Sequence, residues 1–173
     1  MKQVTSKLFF VLFTIMSYNS FSQTANLSSQ EIKDMKYMLE EEKVARDVYE
    51  LLDKKWNLRV FNNIKQSEQR HMDMMENLLN SNKISYQFSD KRGVFYNKEL
   101  QKLYNDLTEK GLKSKYDALE VGKTIEVTDI YDLEKAKKLT TNSQIKDVYS
   151  KLIFASNNHL RAFSRNLSKF QNQ

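Results

Sequence analysis

The stretch SEQRHMDMM, residues 67–75, carries the pattern that decides how this chain folds. On a helix with 3.6 residues per turn, Glu68 and His71 fall on one face. The same face carries the apolar residues Ile64, Met75 and Leu78. Apolar residues on one face of a helix pack toward a core, so this carboxylate and this imidazole should point inward too. Because an unpaired charge in a core is costly, both groups need a partner there.

The composition of the whole chain favours a single all-α domain. Its 173 residues include three Gly and no Pro, and a hydrophobic content of 40% is enough for one packed core. No stretch alternates apolar and polar residues between hairpin signals. The absence of Cys from the sequence excludes disulfides, thiolate metal sites and iron–sulfur centres. Basic residues are scattered without aromatic interleaving, so we predict no nucleic-acid partner and expect most charges to form solvated helix faces.

The first 22 residues have the layout of a secretory signal peptide. Lys2 and Lys7 precede the apolar run at residues 8–16, and a small-residue cleavage site follows at residues 20–22. The run is too short to cross a bilayer, which takes about 20 apolar residues, although a retained membrane anchor is the alternative. We therefore predict cleavage after Ser22 and a mature domain over residues 23–173. The mature protein would be periplasmic or extracellular, with no membrane contact after cleavage.

Capping signals and apolar periodicity predict four long helices. The clearest start is Ser28 with Glu31, a capping-box pattern. The long helices are predicted at about residues 28–55, 61–79, 114–138 and 144–170. Irregular chain at 80–96 and a short helix from Asn97 to Gly111 separate the second from the third. A long middle crossover of this kind is how ferritin-type four-helix bundles are connected, although simpler bundles can also carry an inserted helix.

The apolar stripes of all four long helices are interrupted by acidic or imidazole side chains. The interrupting residues are Glu42, Glu68, His71, Glu126, Asp129 and His159. They include both histidines of the chain and lie near the middle of their helices. Antiparallel packing would therefore gather them at one level of the bundle. The choice of Glu42 from the run Glu40, Glu41 and Glu42 depends on the helical phase.

A bound pair of cations would remove the cost of burying these groups. Four clustered carboxylates repel one another, and a cation cancels both that repulsion and the desolvation penalty. Carboxylate oxygens with imidazole nitrogens suit iron, manganese or zinc, and the Glu-x-x-His spacing lets two side chains of one helix reach the same ion. The alternative is a metal-free network in which Arg46 or Arg161 neutralises the buried acids.

Five segments of the chain closely resemble a ferritin-like family of prokaryotic proteins catalogued as a domain of unknown function. They are LEEEKVARDVYELL (39–52), SEQRHMDMMENLL (67–79), GVFYNKELQKLYNDL (93–107), EVGKTIEVTDIYDL (120–133) and SNNHLRAF (156–163). The resemblance covers about residues 35–168. More distantly the chain resembles the rubrerythrin and ferritin superfamily, whose bundles hold two irons and react with peroxide or oxygen.

The resemblance implies a role for the inward residues of the first three long helices. Glu42 matches the superfamily's first-helix Glu, and Glu68 with His71 matches the second-helix Glu-x-x-His. Glu126 matches the third-helix carboxylate that bridges the two metals.

The resemblance also implies terminal ligands, and here the pattern departs from the superfamily. Asp129 resembles a further carboxylate one turn after Glu126, and His159 matches the histidine of the fourth-helix Glu-x-x-His. The Glu expected three residues before His159 is Ser156, a poor ligand. Asp129 could restore the ligand count from a different direction.

Three functions are compatible with this reading of the sequence. The first is a dinuclear centre, iron or else manganese or zinc, that oxidises a substrate or reduces peroxide, as a ferroxidase or peroxidase does. Tyr49 and Tyr131 would then be candidates to donate electrons or hydrogen bonds, although packing in the core is the commoner role of tyrosine. The second is a non-catalytic metal scavenger or buffer, which Ser156 favours. The third is a metal-free interaction module. The sequence is compatible with a homodimer.

Overall fold

A computed structural model of the protein describes residues 27–171. These residues form five helices and no strand, which confirms the predicted all-α class. The helices are α1 (Ser29–Trp56), α2 (Arg59–Ser81), α3 (Lys98–Gly111), α4 (Lys115–Leu139) and α5 (Ser143–Gln171). The predicted signal peptide, residues 1–22, lies outside the described residues. Within residues 27–171, no helix combines the length and apolarity that crossing a bilayer requires.

The helices begin where local capping signals predicted. The Ser28 side chain accepts a hydrogen bond from the amide of Glu31, whose carboxylate returns one to the amide of Ser28. Asn97 and Ser114 cap α3 and α4 in the same way, through side-chain oxygens that accept backbone amides. The connection from α1 to α2 is shorter than predicted, because Asn57 adopts a left-handed backbone (φ 50°) that reverses the chain at once.

Two apolar clusters fill the two halves of the core. One, the aromatic cluster, includes Tyr49, Phe61, Leu119 and Phe163. The other, the methionine cluster, includes Met35, Met72, Met75, Leu133 and Leu152. Along the chain, α1 and α5 pass from the methionine cluster to the aromatic cluster, whereas α2 and α4 pass the opposite way. Because α2 ends in one cluster and α4 begins in the other, the crossover at residues 82–114 travels the length of the core.

The four long helices contact one another in a cycle, and the crossover covers one side of it. α1 packs against α2 and α4, and α5 packs against the same two helices. The crossover is fastened to α1 by hydrogen bonds to two carboxylates. Glu40 accepts the amides of Tyr96 (2.7 Å) and Asn97 (2.8 Å), and Asp47 accepts the amide of Gly93 (2.9 Å). As a result every residue of α1 from 38 to 49 is buried, including charged residues expected on a solvated face.

Gly122 of α4 lies directly under the ring of Phe163. A Cβ at this position would stand 2.3 Å from Phe163 Cε1. The ring has no room to move, since it is fully buried and packs against Tyr49 and Phe61 with centroid distances of 5.3 and 5.4 Å. Close approach of α4 and α5 therefore depends on glycine here.

Replacing Gly122 by Ala is expected to lower the free energy of unfolding by ~2 kcal/mol, because overpacking outweighs the gain in helix propensity. Urea unfolding followed by circular dichroism measures the change. The double variant Gly122→Ala/Phe163→Leu should recover part of the loss, since leucine leaves space for the added methyl group. A single variant as stable as the parent would contradict the packing argument.

Candidate metal centre

The structure brings all six predicted polar residues into one buried layer between the two apolar clusters. On each long helix, these residues fall between its aromatic-cluster positions and its methionine-cluster positions. None of the six is more than 8% exposed. The layer therefore contains four carboxyl groups and two imidazoles that the aromatic and methionine clusters separate from water.

One group of three ligand atoms is centred on His71. Its Nδ1 lies 2.8 Å from Glu68 Oε2 and 3.1 Å from Glu42 Oε2. Nδ1 can carry one proton, so it cannot make a full hydrogen bond to both carboxylates at once. The first group of atoms, from Glu42, Glu68 and His71, has a size that a single metal ion could occupy.

A second group is centred on His159. Its Nδ1 lies 2.9 Å from Glu68 Oε1 and 3.5 Å from Glu126 Oε2. The shorter contact is poorly aligned for a hydrogen bond, so neither Nδ1 nor Glu68 Oε1 has a hydrogen-bond partner among the described residues. Atoms from Glu68, Glu126 and His159 likewise lie close enough together to ligate one ion.

Glu68 belongs to both groups and divides its two oxygens between them. Oε2 faces His71 and Oε1 faces His159, whose rings stack with centroids 5.5 Å apart. Bond lengths of about 2.0–2.2 Å place neighbouring ligand atoms of one ion about 3 Å apart. The distances of 2.8, 2.9 and 3.1 Å fit that spacing. Glu68 could therefore offer one oxygen to an ion in each group, although the contact between His159 and Glu126 is longer, at 3.5 Å.

The protonation of the layer reflects crowding by like charges. Burial raises the pKa of Glu68, but its contacts with His159 and His71 outweigh burial and lower the pKa to about 2. Burial raises the pKa of Glu42 to about 7, although contact with His71 opposes the shift. Burial and the negative charge of Glu68 together raise the pKa of Glu126 to about 7. The ionised form is thus favoured at Glu68, and the protonated form is favoured at Glu42 and Glu126 relative to exposed glutamates.

The histidines carry protons in the absence of a cation. Burial lowers the pKa of His71, but the charge of Glu42 and contact with Glu68 outweigh burial and raise it to about 11. For His159, burial is likewise outweighed by Glu126 and Glu68, which raise the pKa to about 9. Each imidazole must therefore release a proton before it can ligate a metal.

Asp129 is the one predicted ligand that contributes to neither group of three among the described residues. Burial raises its pKa well above the ordinary value, the charges of Glu42, Glu41 and Glu126 add to the shift, and a hydrogen bond with Ser156 opposes it. Its Oδ2 has no hydrogen-bond partner within residues 27–171. Ser156, three residues before His159 on α5, is fully buried and donates a hydrogen bond to the carbonyl of Leu152 (3.1 Å).

Of the two candidate tyrosines, one adjoins the layer and the other does not. The Tyr49 hydroxyl donates to Glu126 Oε1 at 2.7 Å and so orients that carboxylate. Tyr131 is 66% exposed, so the suggestion that it lies near the candidate ligands is wrong. The reason is helical geometry: a residue two positions after Asp129 points to the other side of α4.

The two arginines proposed to neutralise the acids have other partners. Arg46 binds Asp47 and the side-chain oxygen of Gln69, at 2.8 and 2.6 Å. Arg161 is exposed and bonds to Asn158. The metal-free network in the form predicted is therefore not present among the described residues.

Two polar residues beside the layer were not predicted. Ser67 Oγ lies 3.4 Å from His71 Nε2, and it stands one turn before that histidine on α2. Glu41 is buried, and its Oε2 has no hydrogen-bond partner within the described range. Consecutive residues of a helix point in different directions, so the apolar periodicity of α1 places only one of the three glutamates at 40–42 on the inward face. The periodicity that predicted Glu42 therefore could not also predict Glu41.

Comparison with known proteins places the chain in a family. The family model described as an uncharacterized protein domain, DUF2202, matches residues 31–172. Uncharacterized protein MJ0754 of Methanocaldococcus jannaschii is 46% identical over 157 residues, which cover 90% of this chain and 85% of that protein. The crystal structure of hypothetical protein MJ0754 from Methanococcus jannaschii matches with a TM-score of 0.83 at 48% identity, over 84% of this chain and 83% of that one. The chain belongs to the DUF2202 family.

Proposed function

We propose that this protein is an exported, ferritin-like four-helix bundle that binds two metal ions, preferably iron, and uses them in oxidation or peroxide reduction. The observation that carries the proposal is Glu68, whose two oxygens face two different histidines, each accompanied by a further glutamate. A core histidine that serves only packing needs one hydrogen-bond partner. Two ions joined by a shared carboxylate need a histidine and a further glutamate on each side of that carboxylate, as found here.

The connectivity of the helices supports the ferritin-like part of the proposal. α1 and α2 run in opposite directions, a crossover spans the core, and α4 and α5 again run in opposite directions. Ferritin-like bundles combine one long crossover with a Glu from each of two helices and a Glu-x-x-His from each of the other two. Here Glu42 and Glu126 supply the first pair, and Glu68 with His71 supplies one motif. His159 supplies the histidine of the last.

The residues of the layer would have different roles in binding and positioning the two ions. A bound iron pair supplies redox chemistry with peroxide or oxygen. Glu42 and His71 would hold one ion, and Glu126 and His159 the other, with Glu68 between them. Tyr49 holds Glu126 in place by its 2.7 Å hydrogen bond, and the apolar clusters keep water away. Manganese or zinc would fit the same oxygen and nitrogen donors.

The proposal is tested by measuring how many metal ions each chain binds. The metal-free protein is loaded with ferrous iron without oxygen, and bound metal is measured by elemental analysis. Two ions per chain support the dinuclear centre, and mixing with peroxide should then give a ferric absorbance faster than free iron does. A rate equal to that of free iron would reject the catalytic part.

A second candidate function is a non-catalytic metal scavenger or buffer, which Ser156 favours. Its hydroxyl is engaged with the carbonyl of Leu152, so the one side chain that α5 adds to the two groups of three is His159. One tightly bound ion per chain, with no reaction toward peroxide, would support this function. A protein that binds no metal would instead be a metal-free helical module.

Export is proposed from the N-terminal sequence alone. Purification of the protein from its native host followed by N-terminal sequencing should give a start near Gln23. A start at Met1 would indicate a retained leader and contradict cleavage.

Metal binding is expected to stabilise the fold by mass action. Free metal at 100 times the dissociation constant should add ~2.7 kcal/mol to the free energy of unfolding and raise Tm by ~8 °C. Thermal unfolding with and without a chelator measures this difference. Identical melting curves, together with no metal by elemental analysis, would support the metal-free module.

Metal affinity is expected to rise with pH, because ligation displaces the protons of His71 and His159. Their pKa values of about 11 and about 9 mean that both are protonated at neutral pH. Each displaced proton makes the apparent affinity ~10-fold tighter per pH unit. Competition against a chelator of known proton linkage between pH 6 and 8.5 measures the slope. A slope of zero would contradict ligation by these imidazoles.

A further inference from the structure

An open cleft lies between α1 and the crossover. It has a volume of about 510 Å³, which falls within the range of about 300–1,000 Å³ that is usual for small-molecule sites. One wall comes from the N-terminal half of α1, and the other comes from two stretches of the crossover, residues 85–87 and 96–97. None of the six predicted metal ligands lines this cleft.

Three tyrosines form the aromatic part of the lining. Tyr37 packs against both apolar clusters and Tyr86 packs against the methionine cluster, so each ring is supported by the core where it lines the cleft. Tyr96 is 56% exposed, and its backbone amide donates to Glu40 at 2.7 Å. Groups that are held in place before a ligand arrives lose little conformational entropy when it binds. The cleft therefore offers aromatic surface that is already positioned.

Two lysines give the cleft an unbalanced positive charge. Lys33 and Lys36 both line it, and neither side chain has an ion-pair or hydrogen-bond partner within residues 27–171. Glu40 stands one helical turn after Lys36, a spacing at which opposite charges usually pair. Its carboxylate is 6% exposed and instead accepts the amides of Tyr96 and Asn97, at 2.7 and 2.8 Å. An anionic ligand would supply the missing counter-charge.

We propose that this cleft binds a small planar aromatic anion, a molecule of one or two rings that carries a carboxylate. The ring would lie against the tyrosines, and the carboxylate would pair with Lys33 and Lys36. An inorganic anion would leave the aromatic surface uncovered, and a neutral aromatic molecule would leave both lysines unpaired. The inference goes beyond the proposed metal function and does not depend on it, since the two sites share no residue.

The test is the binding of 2-naphthoate to the full chain, measured by isothermal titration calorimetry. One saturable site per chain is expected. Decahydro-2-naphthoate keeps the carboxylate and removes the aromatic rings, whereas 2-naphthylmethanol keeps the rings and removes the charge. Each of these two probes should bind more weakly than 2-naphthoate by about threefold or more, because each lacks one of the two interactions.

Substitutions in the cleft locate the site. Lys33→Gln and Lys36→Gln should each weaken 2-naphthoate binding by about two- to fivefold, and added salt should reduce this difference. Tyr96→Leu keeps an apolar side chain but removes stacking, and should weaken binding by about two- to tenfold. Lys123→Gln is the matched control, because Lys123 is an exposed lysine of α4 that does not line the cleft. This control variant should bind as the parent does.

Four results would overturn the proposal. The absence of saturable binding would mean that the cleft holds no such ligand. Equal binding of all three probes would show that apolar contact alone is responsible. Equal weakening by Lys123→Gln and Lys33→Gln would mean that the net charge of the protein attracts the anion. Binding that survives Tyr96→Leu and both cleft-lysine variants unchanged would place the probe elsewhere. Loss of metal binding, measured separately, would reject the proposed function and leave this inference intact.

Discussion

Replacing Glu68 by Gln is expected to remove both metal ions from the protein, although it changes a single atom. Glu68 supplies Oε2 to the group around His71 and Oε1 to the group around His159. The amide nitrogen of glutamine is not a metal ligand, and the neutral amide no longer offsets the charge of two cations. Since loss of outer hydrogen bonds alone weakens metal sites by ~10–100-fold, loss of a shared ligand should exceed that at both positions.

Equilibrium dialysis with elemental analysis measures this result, and two other Glu→Gln variants provide matched controls. Glu42→Gln should lose the ion beside His71, and Glu126→Gln the ion beside His159, so each should retain about one ion per chain. Circular dichroism of the metal-free variants shows whether the fold is intact. Tight binding of one ion by Glu68→Gln would mean that the carboxylate is not shared.

The sequence was sufficient for the features that depend on neighbouring residues. Caps at Ser28, Asn97 and Ser114 act over two or three positions, so their residue types predict where helices begin. The inward placement of Glu68 and His71 follows from helical periodicity in the same way. Both are properties of one helix at a time, which is why a single sequence can reveal them.

Features that depend on packing between distant segments could not be predicted. Burial of Lys43 and Asp47 results from the crossover, which lies more than 40 positions away in the chain and covers a third side of α1. Periodicity assumes one buried face and one solvated face, so it assigned these charges to solvent. Glu68 contacts both histidines because α2 and α5 pack at a particular axial offset. That offset depends on contacts between distant segments, so no local sequence pattern predicts it.

Asp47 is the point at which the crossover is anchored to α1. Its carboxylate accepts hydrogen bonds from Lys43 Nζ (2.6 Å), the Arg46 guanidinium (2.8 Å) and the amide of Gly93 (2.9 Å). Lys43 is fully buried, lies 4.3 Å from the centroid of the Phe95 ring, and also donates to the carbonyl of Lys91. One anion therefore balances a buried ammonium and fixes the loop that precedes α3.

Asp47→Asn is expected to lower the free energy of unfolding by ~3–5 kcal/mol, because it leaves the ammonium of Lys43 buried without its counter-ion. Urea unfolding measures the loss, and faster hydrogen exchange at the Gly93 amide would locate it at the crossover. The double variant Lys43→Met/Asp47→Asn should regain part of the stability, since the unpaired ammonium of Lys43 is then absent while Arg46 still lacks its carboxylate partner. A single variant within 1 kcal/mol of the parent, a size usual for exposed ion pairs, would contradict the anchoring role.

The pH dependence of the same variant provides an independent check with a definite sign. Burial raises the pKa of Asp47, but the hydrogen bonds from Lys43, Gly93 and Arg46 outweigh burial and leave the pKa below its ordinary value. A carboxyl group with a lowered folded-state pKa stabilises the protein above the unfolded value of about 3.9, and this contribution is lost as pH falls through the folded-state pKa. The stability difference between the parent and Asp47→Asn should therefore be constant from pH 5 to pH 7 and shrink below about pH 4. A difference that persisted unchanged at low pH would show that the loss comes from altered packing and that the charge of Asp47 contributes little.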